Sequence, residues 1–68
     1  MNNLTLSEVI ARIQEGELYK AYYADVFWHI KKSAGNIWYC DKDGNIFENT
    51  HAVPLTFSNL EATYEFIK

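Results

Sequence analysis

The sequence predicts an α+β fold, in which an N-terminal helix packs on an antiparallel sheet of four or five strands. Up to Gly16 the apolar residues repeat with the period of an amphipathic helix, and after it they alternate as in strands. Two short loops that end in glycine separate the later strand-like runs, and such loops join antiparallel neighbours. A short helical turn is expected near the C-terminus.

The first helix is predicted by its capping residues and its apolar stripe. Thr5 and Glu8 form a T-x-x-E capping box, and Leu4 before the cap can pack onto Val9. Four apolar residues then share one stripe: Leu6, Val9, Ile10 and Ile13. Gly16 stands where a left-handed C-terminal cap is expected. We therefore expect a helix of about three turns with one buried face.

Four strand-like runs follow the helix. They read ELYKAYYA, with a break or bulge near Ala24 and Asp25, then VFWHIKK, NIWYC and NIFE. The loops Ser33-Ala34-Gly35 and Lys42-Asp43-Gly44 end in the glycine that a three-residue hairpin loop with a bulge prefers. The last three runs are therefore predicted to form a meander.

The C-terminal segment begins after Pro54, which prevents the fourth run from continuing as a central strand. Either Thr56, or Ser58 with Glu61 three places on, can cap one or two helical turns. Residues 64–67 alternate and can return as an edge strand.

Length and composition predict a single domain, residues 1–68, with a large supply of apolar surface. The chain has five tyrosines, four phenylalanines and two tryptophans, and some of that area can lie in an interface. A net charge of −3 argues against nucleic acid as a partner. The single Cys40, the lack of a leader-like start and the short apolar runs predict a cytoplasmic protein with no membrane partner.

No pattern in the sequence indicates catalysis, a metal or a cofactor. DKDGNI at residues 41–46 resembles part of an EF-hand calcium loop, but Tyr39 and Thr50 occupy two essential ligand positions, so a turn is expected. One cysteine is too few for a structural zinc site. A nucleophilic Cys40 needs a histidine in reach, and His29 would lie opposite it only if the first loop had two residues. The three-residue loop is the better fit, and we predict a protein that is not an enzyme.

The strand at residues 26–32 has two different faces. Val26, Trp28 and Ile30 are uniformly apolar and are predicted to pack on the helix; with a three-residue first loop, Trp38 and Cys40 join them. The opposite side then carries Phe27, His29, Lys31, Ile37, Tyr39 and Phe47, and these residues together with Tyr23 are the predicted binding residues for a partner or a second protomer. Exposed apolar patches of this kind mark interaction sites, unless the C-terminal segment folds over them.

Three pieces of the chain resemble a group of small phage-encoded proteins. The pieces are LSEVIARIQEGE at residues 6–17, DGNI at 43–46 and LTFSNLEATYEFI at 55–67. The family that they resemble includes the Thoeris anti-defence proteins, which act as oligomeric sponges for cyclic-nucleotide-derived immune signals. The resemblance implies the fold outline, a phage or prophage origin and a tendency to form homo-oligomers. Tyr64 stands where the family usually has tryptophan, and basic residues followed by tryptophan do not come after the helix, so no ligand-binding residue is carried over.

The sequence and the resemblance together lead to three functional hypotheses. The first is a non-catalytic phage or prophage accessory protein that binds and inhibits or modulates a host protein, such as a defence protein, through an aromatic surface. The second is an oligomeric sponge for a nucleotide-like molecule, for which only Lys31, Lys32 and His29 near the aromatic patch could hold an anion. The third is a structural or assembly component of a virion.

Overall fold

The computed structural model describes residues 3–68, and within this range the chain forms two helices and a four-stranded antiparallel sheet. The helices are α1 (Leu6–Arg12) and α2 (Phe57–Glu61). The strands are β1 (Leu18–Tyr23), β2 (Val26–Ser33), β3 (Asn36–Cys40) and β4 (Thr63–Phe66), in the order β3-β2-β1-β4. The predicted α+β class, with an N-terminal helix, an antiparallel sheet and a short C-terminal helix, is confirmed.

The start of α1 is as predicted, but its end is not. The Thr5 hydroxyl accepts from the N–H of Glu8, whose carboxylate accepts from the N–H of Thr5. The helix then ends at Arg12, because Ile13 is extended, and is shorter than the predicted three turns. Gly16 lies in the next turn, at φ +86°, and donates its N–H to Lys32, so it does not cap the helix as predicted. Ile10 is half-exposed, so it is not part of the buried stripe.

The predicted break near Ala24 and Asp25 is a hairpin turn between β1 and β2. Tyr23 pairs with Val26, so the turn has two central residues, and both have positive φ (49° and 67°). Positive φ at both central residues defines the tight turn whose twist matches that of the flanking strands.

The loop between β2 and β3 corrects the predicted register. Ser33 pairs with Asn36, so the loop consists of Ala34 and Gly35 alone, with φ 52° and 79°, and is not the predicted three-residue loop. The Glu15 carboxylate accepts hydrogen bonds from both loop amides, which fixes the turn against the segment after α1. Because a shift of one residue turns every side chain to the other face, the two faces of β3 are exchanged relative to the prediction.

The run NIFE at residues 45–48 does not form the predicted strand. Ile46 makes an isolated bridge to Cys40, and Ala52 makes another to Trp38, so the segment follows the outer edge of β3 only intermittently. A turn between them, with Asn49 at φ 62°, interrupts the pairing. The fourth place in the sheet is taken by β4, the predicted edge strand, which pairs with β1.

Both helices cover the same face of the sheet, which we call the core face. Its buried cluster consists of Leu6, Val9, Ile13, Tyr19, Ala21, Ile30, Ala62 and Tyr64. Thr56, one of the two predicted caps, accepts from the N–H of Asn59 and so begins α2. The buried Asn59 side chain donates to the Tyr39 hydroxyl at 3.0 Å and to the Pro54 carbonyl at 2.9 Å. These bonds attach the C-terminal segment to the core face.

Candidate functional site

The face of the sheet opposite the helices, which we call the open face, is defined by the strand register. Residues directly opposite each other on neighbouring antiparallel strands point to the same side. Lys20 lies opposite His29, Tyr22 opposite Phe27, and His29 opposite Cys40. None of these residues belongs to the core cluster. The residues that β1 and β2 contribute to that cluster occupy the alternate positions: Tyr19, Ala21 and Ile30.

The predicted binding residues divide between the two faces. Phe27, His29 and Lys31 lie on the open face, as predicted. Ile37 and Tyr39 pack, partly buried, against the core cluster, so their predicted placement beside Phe27 is wrong. Tyr23 packs against the same cluster. For Ile37 and Tyr39 the reason is the two-residue loop, which also moves Trp38 and Cys40 from their predicted core positions to the open face.

Tyr23 and Phe47, the two remaining predicted binding residues, lie away from Phe27 for other reasons. Tyr23 pairs with Val26, so the alternation of β1 places it on the core face with Tyr19 and Ala21. Phe47 lies beyond β3, where its N–H donates to the Tyr39 carbonyl at the outer edge of that strand, and its side chain is exposed. Neither residue lies beside Phe27 on the open face.

Four side chains form a continuous cluster on the open face, which we call the aromatic surface: Lys20, Tyr22, Phe27 and His29. The ring centres of Tyr22 and Phe27 are 6.0 Å apart, and those of Phe27 and His29 are 6.2 Å apart at a nearly perpendicular angle. The Lys20 ammonium lies 4.4 Å from the centre of the Phe27 ring and 5.0 Å from that of Tyr22, within the range of cation–π attraction. Phe27 remains 56% exposed and Tyr22 45% exposed.

The charge of the aromatic surface comes from Lys20. Burial is the main cause that lowers the pKa of His29 below its ordinary 6.5, and the nearby positive charge of Lys20 adds to it. His29 is therefore mainly neutral at pH 7. Glu65 lies opposite Lys20 on β4, but no carboxylate among residues 3–68 forms an ion pair with the lysine.

The other half of the open face is occupied by the chain itself. Lys31 donates from Nζ to the carbonyl of Gly44 at 3.1 Å, which attaches the turn after β3 to this side of the sheet. Asp41 holds that turn, because its carboxylate accepts from the N–H groups of Asp43 and Asn45. These residues form the turn that the sequence predicts there. The exposed aromatic side chains of the open face therefore lie on β1 and β2, with the exposed Thr63 and Glu65 of β4 beside them.

Cys40 and His29 lie directly opposite each other, but the thiol is not activated. Burial raises the pKa of Cys40 to about 11, with a smaller contribution from the Asp41 charge, so it is a thiol at neutral pH. No hydrogen bond joins it to His29 within the described part of the chain. Across residues 3–68, no group of three or more His, Cys, Asp or Glu side chains could hold a metal ion. The arrangement supplies an apolar contact, not a nucleophile.

Sequence reasoning missed Lys20 and Tyr22, because the first strand was not paired with the second in the prediction. The signal was present in the alternation of LYKAYY, where Lys20 and Tyr22 share one side. The turn at Ala24 and Asp25 lacks the glycine that usually marks a tight hairpin, so the register could not be read from it.

Comparison of the chain with protein-family models, curated proteins and solved structures finds no match. The resemblance to the Thoeris anti-defence family accordingly stays a prediction from the three motifs. In the range that the structure describes, no helix has the length and apolar character needed to cross a membrane.

Proposed function

We propose that this protein is a non-catalytic binding protein that contacts a partner protein through the aromatic surface. The observation that carries the proposal is the exposure of Tyr22 and Phe27 on the face that neither helix covers. The C-terminal segment, which was the other candidate to cover these rings, packs on the core face through Asn59 and Tyr64.

The composition of the aromatic surface fits an interface. Aromatic residues are enriched at the centres of protein interfaces, where a few of them supply most of the binding energy. Covering the exposed fractions of Tyr22 and Phe27 would remove apolar area from water at roughly 25 cal/mol per Å². Lys20 adds a positive charge, which favours the orientation of a partner that places a negative group beside it.

The aromatic surface is also rigid enough to bind without large ordering costs. Its residues stand on β1 and β2, and all of β1 pairs with β2, from Leu18 with Lys31 to Tyr23 with Val26. The rings contact one another and the lysine chain, which restricts their rotamers before a partner arrives. A preorganised surface loses less conformational entropy on binding than a loop does.

We extend the proposal to a phage or prophage protein that inhibits or modulates a host protein. This part follows from the resemblance in the motifs at residues 6–17, 43–46 and 55–67. The buried, protonated Cys40 supports binding over catalysis, because this thiol is not an activated nucleophile although it lies opposite His29.

Site-specific photocrosslinking in a bacterial host tests the proposal. Phe27→p-benzoylphenylalanine places the crosslinker on the aromatic surface, and Phe57→p-benzoylphenylalanine places it at a control site on the helical side that is even more exposed. We expect a host-protein adduct from position 27 that is absent from position 57. The identified protein, once purified, should bind the unmodified chain and lose ~10-fold or more in affinity with Phe27→Ala.

The control variant Phe57→Ala should bind that protein within about twofold of the unmodified chain. The proposal is overturned if position 27 yields no adduct, if positions 27 and 57 yield the same adducts, or if Phe27→Ala leaves the affinity unchanged.

A further inference from the structure

We infer that the aromatic surface recognises an acidic protein segment, in which a carboxylate binds Lys20 and apolar side chains pack on Phe27 and Tyr22. This inference rests on the proposed function and specifies the chemistry of the partner. It follows from the position of the Lys20 ammonium, from the hydrogen bonds that it lacks and from the charge of the rest of the protein.

The Lys20 ammonium lies among exposed aromatic rings. It is 4.4 Å from the centre of the Phe27 ring and 5.0 Å from that of Tyr22, and its partner on β2 is the mainly neutral His29. An ammonium group has three N–H donors, yet Lys20 donates no hydrogen bond to any residue between 3 and 68. The donors remain available to an acceptor that arrives from outside.

The nearest lysines on β2 differ from Lys20 in this respect. Lys31 donates to the Gly44 carbonyl, and Lys32 donates to the Ile13 carbonyl. Of the three lysines on β1 and β2, Lys20 is the one whose ammonium contacts aromatic rings and donates no hydrogen bond within the described chain. A complementary partner therefore needs an anionic group at one position, beside apolar groups that cover the rings.

The charge of the whole protein favours a carboxylate over a nucleic acid. The chain carries a net charge of −3, with nine acidic and six basic residues, so its long-range field repels a polyanion. A protein segment can place a single carboxylate beside the Lys20 ammonium. A nucleic acid would bring a row of phosphates, and the aromatic surface has no further cations to bind them. Apolar neighbours in the same segment supply the contact that Phe27 and Tyr22 leave open.

Three matched peptides test the inference. They share alternating leucines with glutamine at the intervening positions, and they differ at one central position only, which is Glu, Gln or Lys. Each is titrated into the ¹⁵N-labelled full chain, followed by amide chemical shifts. We expect the Glu peptide to shift the amides of β1 and β2 around Lys20 and Phe27, and to bind ~10-fold tighter than the Lys peptide.

Two lysine variants assign the preference to one side chain. Lys20→Gln should bring the affinities for the Glu and Lys peptides within about twofold of each other, whereas Lys20→Arg, which keeps the charge, should retain the preference. Lys42→Gln is the matched control, because Lys42 is exposed in the turn after β3, and it should also retain the preference.

The outcomes separate this inference from the proposed function. Equal binding of the Glu and Lys peptides, or a preference that survives Lys20→Gln, overturns the inference while the photocrosslinking result at position 27 can still stand. Tighter binding of oligothymidine than of the Glu peptide also overturns it, in favour of nucleic acid. A dimer that loses its association in Phe27→Ala overturns it in favour of a second copy, and no peptide binding at millimolar concentration overturns it as well.

Discussion

His29 and Cys40 are direct partners across β2 and β3, and this pairing decides which side chains share each face of the sheet. It brings a histidine and a cysteine together, as a nucleophilic site requires, yet the thiol is buried and its pKa is raised. The pairing of His29 with Cys40 therefore has a structural role, because it sets the register of β2 and β3 and does not create a nucleophile. Its chemical consequence can be measured on the thiol itself.

Alkylation of Cys40 by iodoacetamide should be slow in the folded protein. A thiol whose pKa rises from 9.0 to about 11 has roughly 100-fold less thiolate at neutral pH, and burial hinders access further. We expect the labelling rate, followed by mass spectrometry, to rise by about that factor or more in urea. Labelling at equal rates in the folded and unfolded chains would contradict both the burial and the pKa direction.

Ala34→Gly should stabilise the protein. Ala34 has φ 52°, a conformation that costs a non-glycine residue about 1–2 kcal/mol, partly offset by the greater freedom of glycine in the unfolded chain. We expect a gain of ~0.5 kcal/mol in the free energy of unfolding, measured by urea denaturation. The same substitution in α1, Ala11→Gly, should instead cost about 1 kcal/mol. A loss in both variants would argue against the two-residue turn and hence against the register.

Tyr64→Phe should destabilise the attachment of the C-terminal segment. The buried Tyr64 hydroxyl donates to the Asn59 carbonyl at 2.8 Å, and burial raises its pKa to about 12, so it remains a donor. Its removal leaves a buried acceptor without this bond, at a cost of about 1–2 kcal/mol in the free energy of unfolding. Tyr22→Phe removes an exposed hydroxyl and should change the same quantity by less than about 0.5 kcal/mol. Equal effects of the two variants would refute the assignment of the bond.

Stability should fall as the pH decreases through the titration of His29. The pKa of His29 is lowered in the folded state, mainly by burial, so the unfolded chain takes up its proton first. The contribution is fully present above the ordinary value of 6.5 and is lost as the pH falls towards the lower folded value. His29→Gln should flatten this dependence between about pH 5 and pH 7, measured by urea denaturation.

The matched control for the pH experiment is His51→Gln. His51 lies beyond β3, outside the aromatic surface, and this variant keeps His29. It should therefore retain the decrease in stability. If the stability profile flattened in His51→Gln but not in His29→Gln, the pH effect would belong to His51, and the desolvation of His29 would be contradicted.

Local chemistry in the sequence predicted where the helices start, with Thr56 and Ser58 both possible for α2, and it predicted the type of every element except the run at residues 45–48. Thr5 with Glu8, and Thr56 with the N–H of Asn59, satisfy donors that any helix start leaves free, so the caps can be recognised without the tertiary structure. The ends were less predictable. Gly16 suited a helix cap, but α1 had already ended at Arg12, and the glycine serves the next turn.

The composition of the candidate site could be predicted only in part. Phe27, His29 and Lys31 were placed correctly because alternation within β2 is a local property. Ile37 and Tyr39 were misplaced because their face depends on the pairing of β3 with β2, and one residue in the loop reverses it. Lys20 and Tyr22 belong to the site because β1 pairs with β2. The sequence did not indicate this pairing, since the turn between the two strands contains no glycine.

The sequence by itself determined an α+β chain with a capped N-terminal helix, alternating strands and an aromatic excess that needs burial or a partner. The tertiary structure decided which aromatics are buried. A two-residue and a three-residue loop both satisfy the local preference for Gly35, so the choice depends on non-local contacts. The two-residue loop places Tyr39 where Asn59 binds it and lets Glu15 bind the turn. The C-terminal segment is thereby held on the core face, and Phe27 and Tyr22 stay exposed beside Lys20.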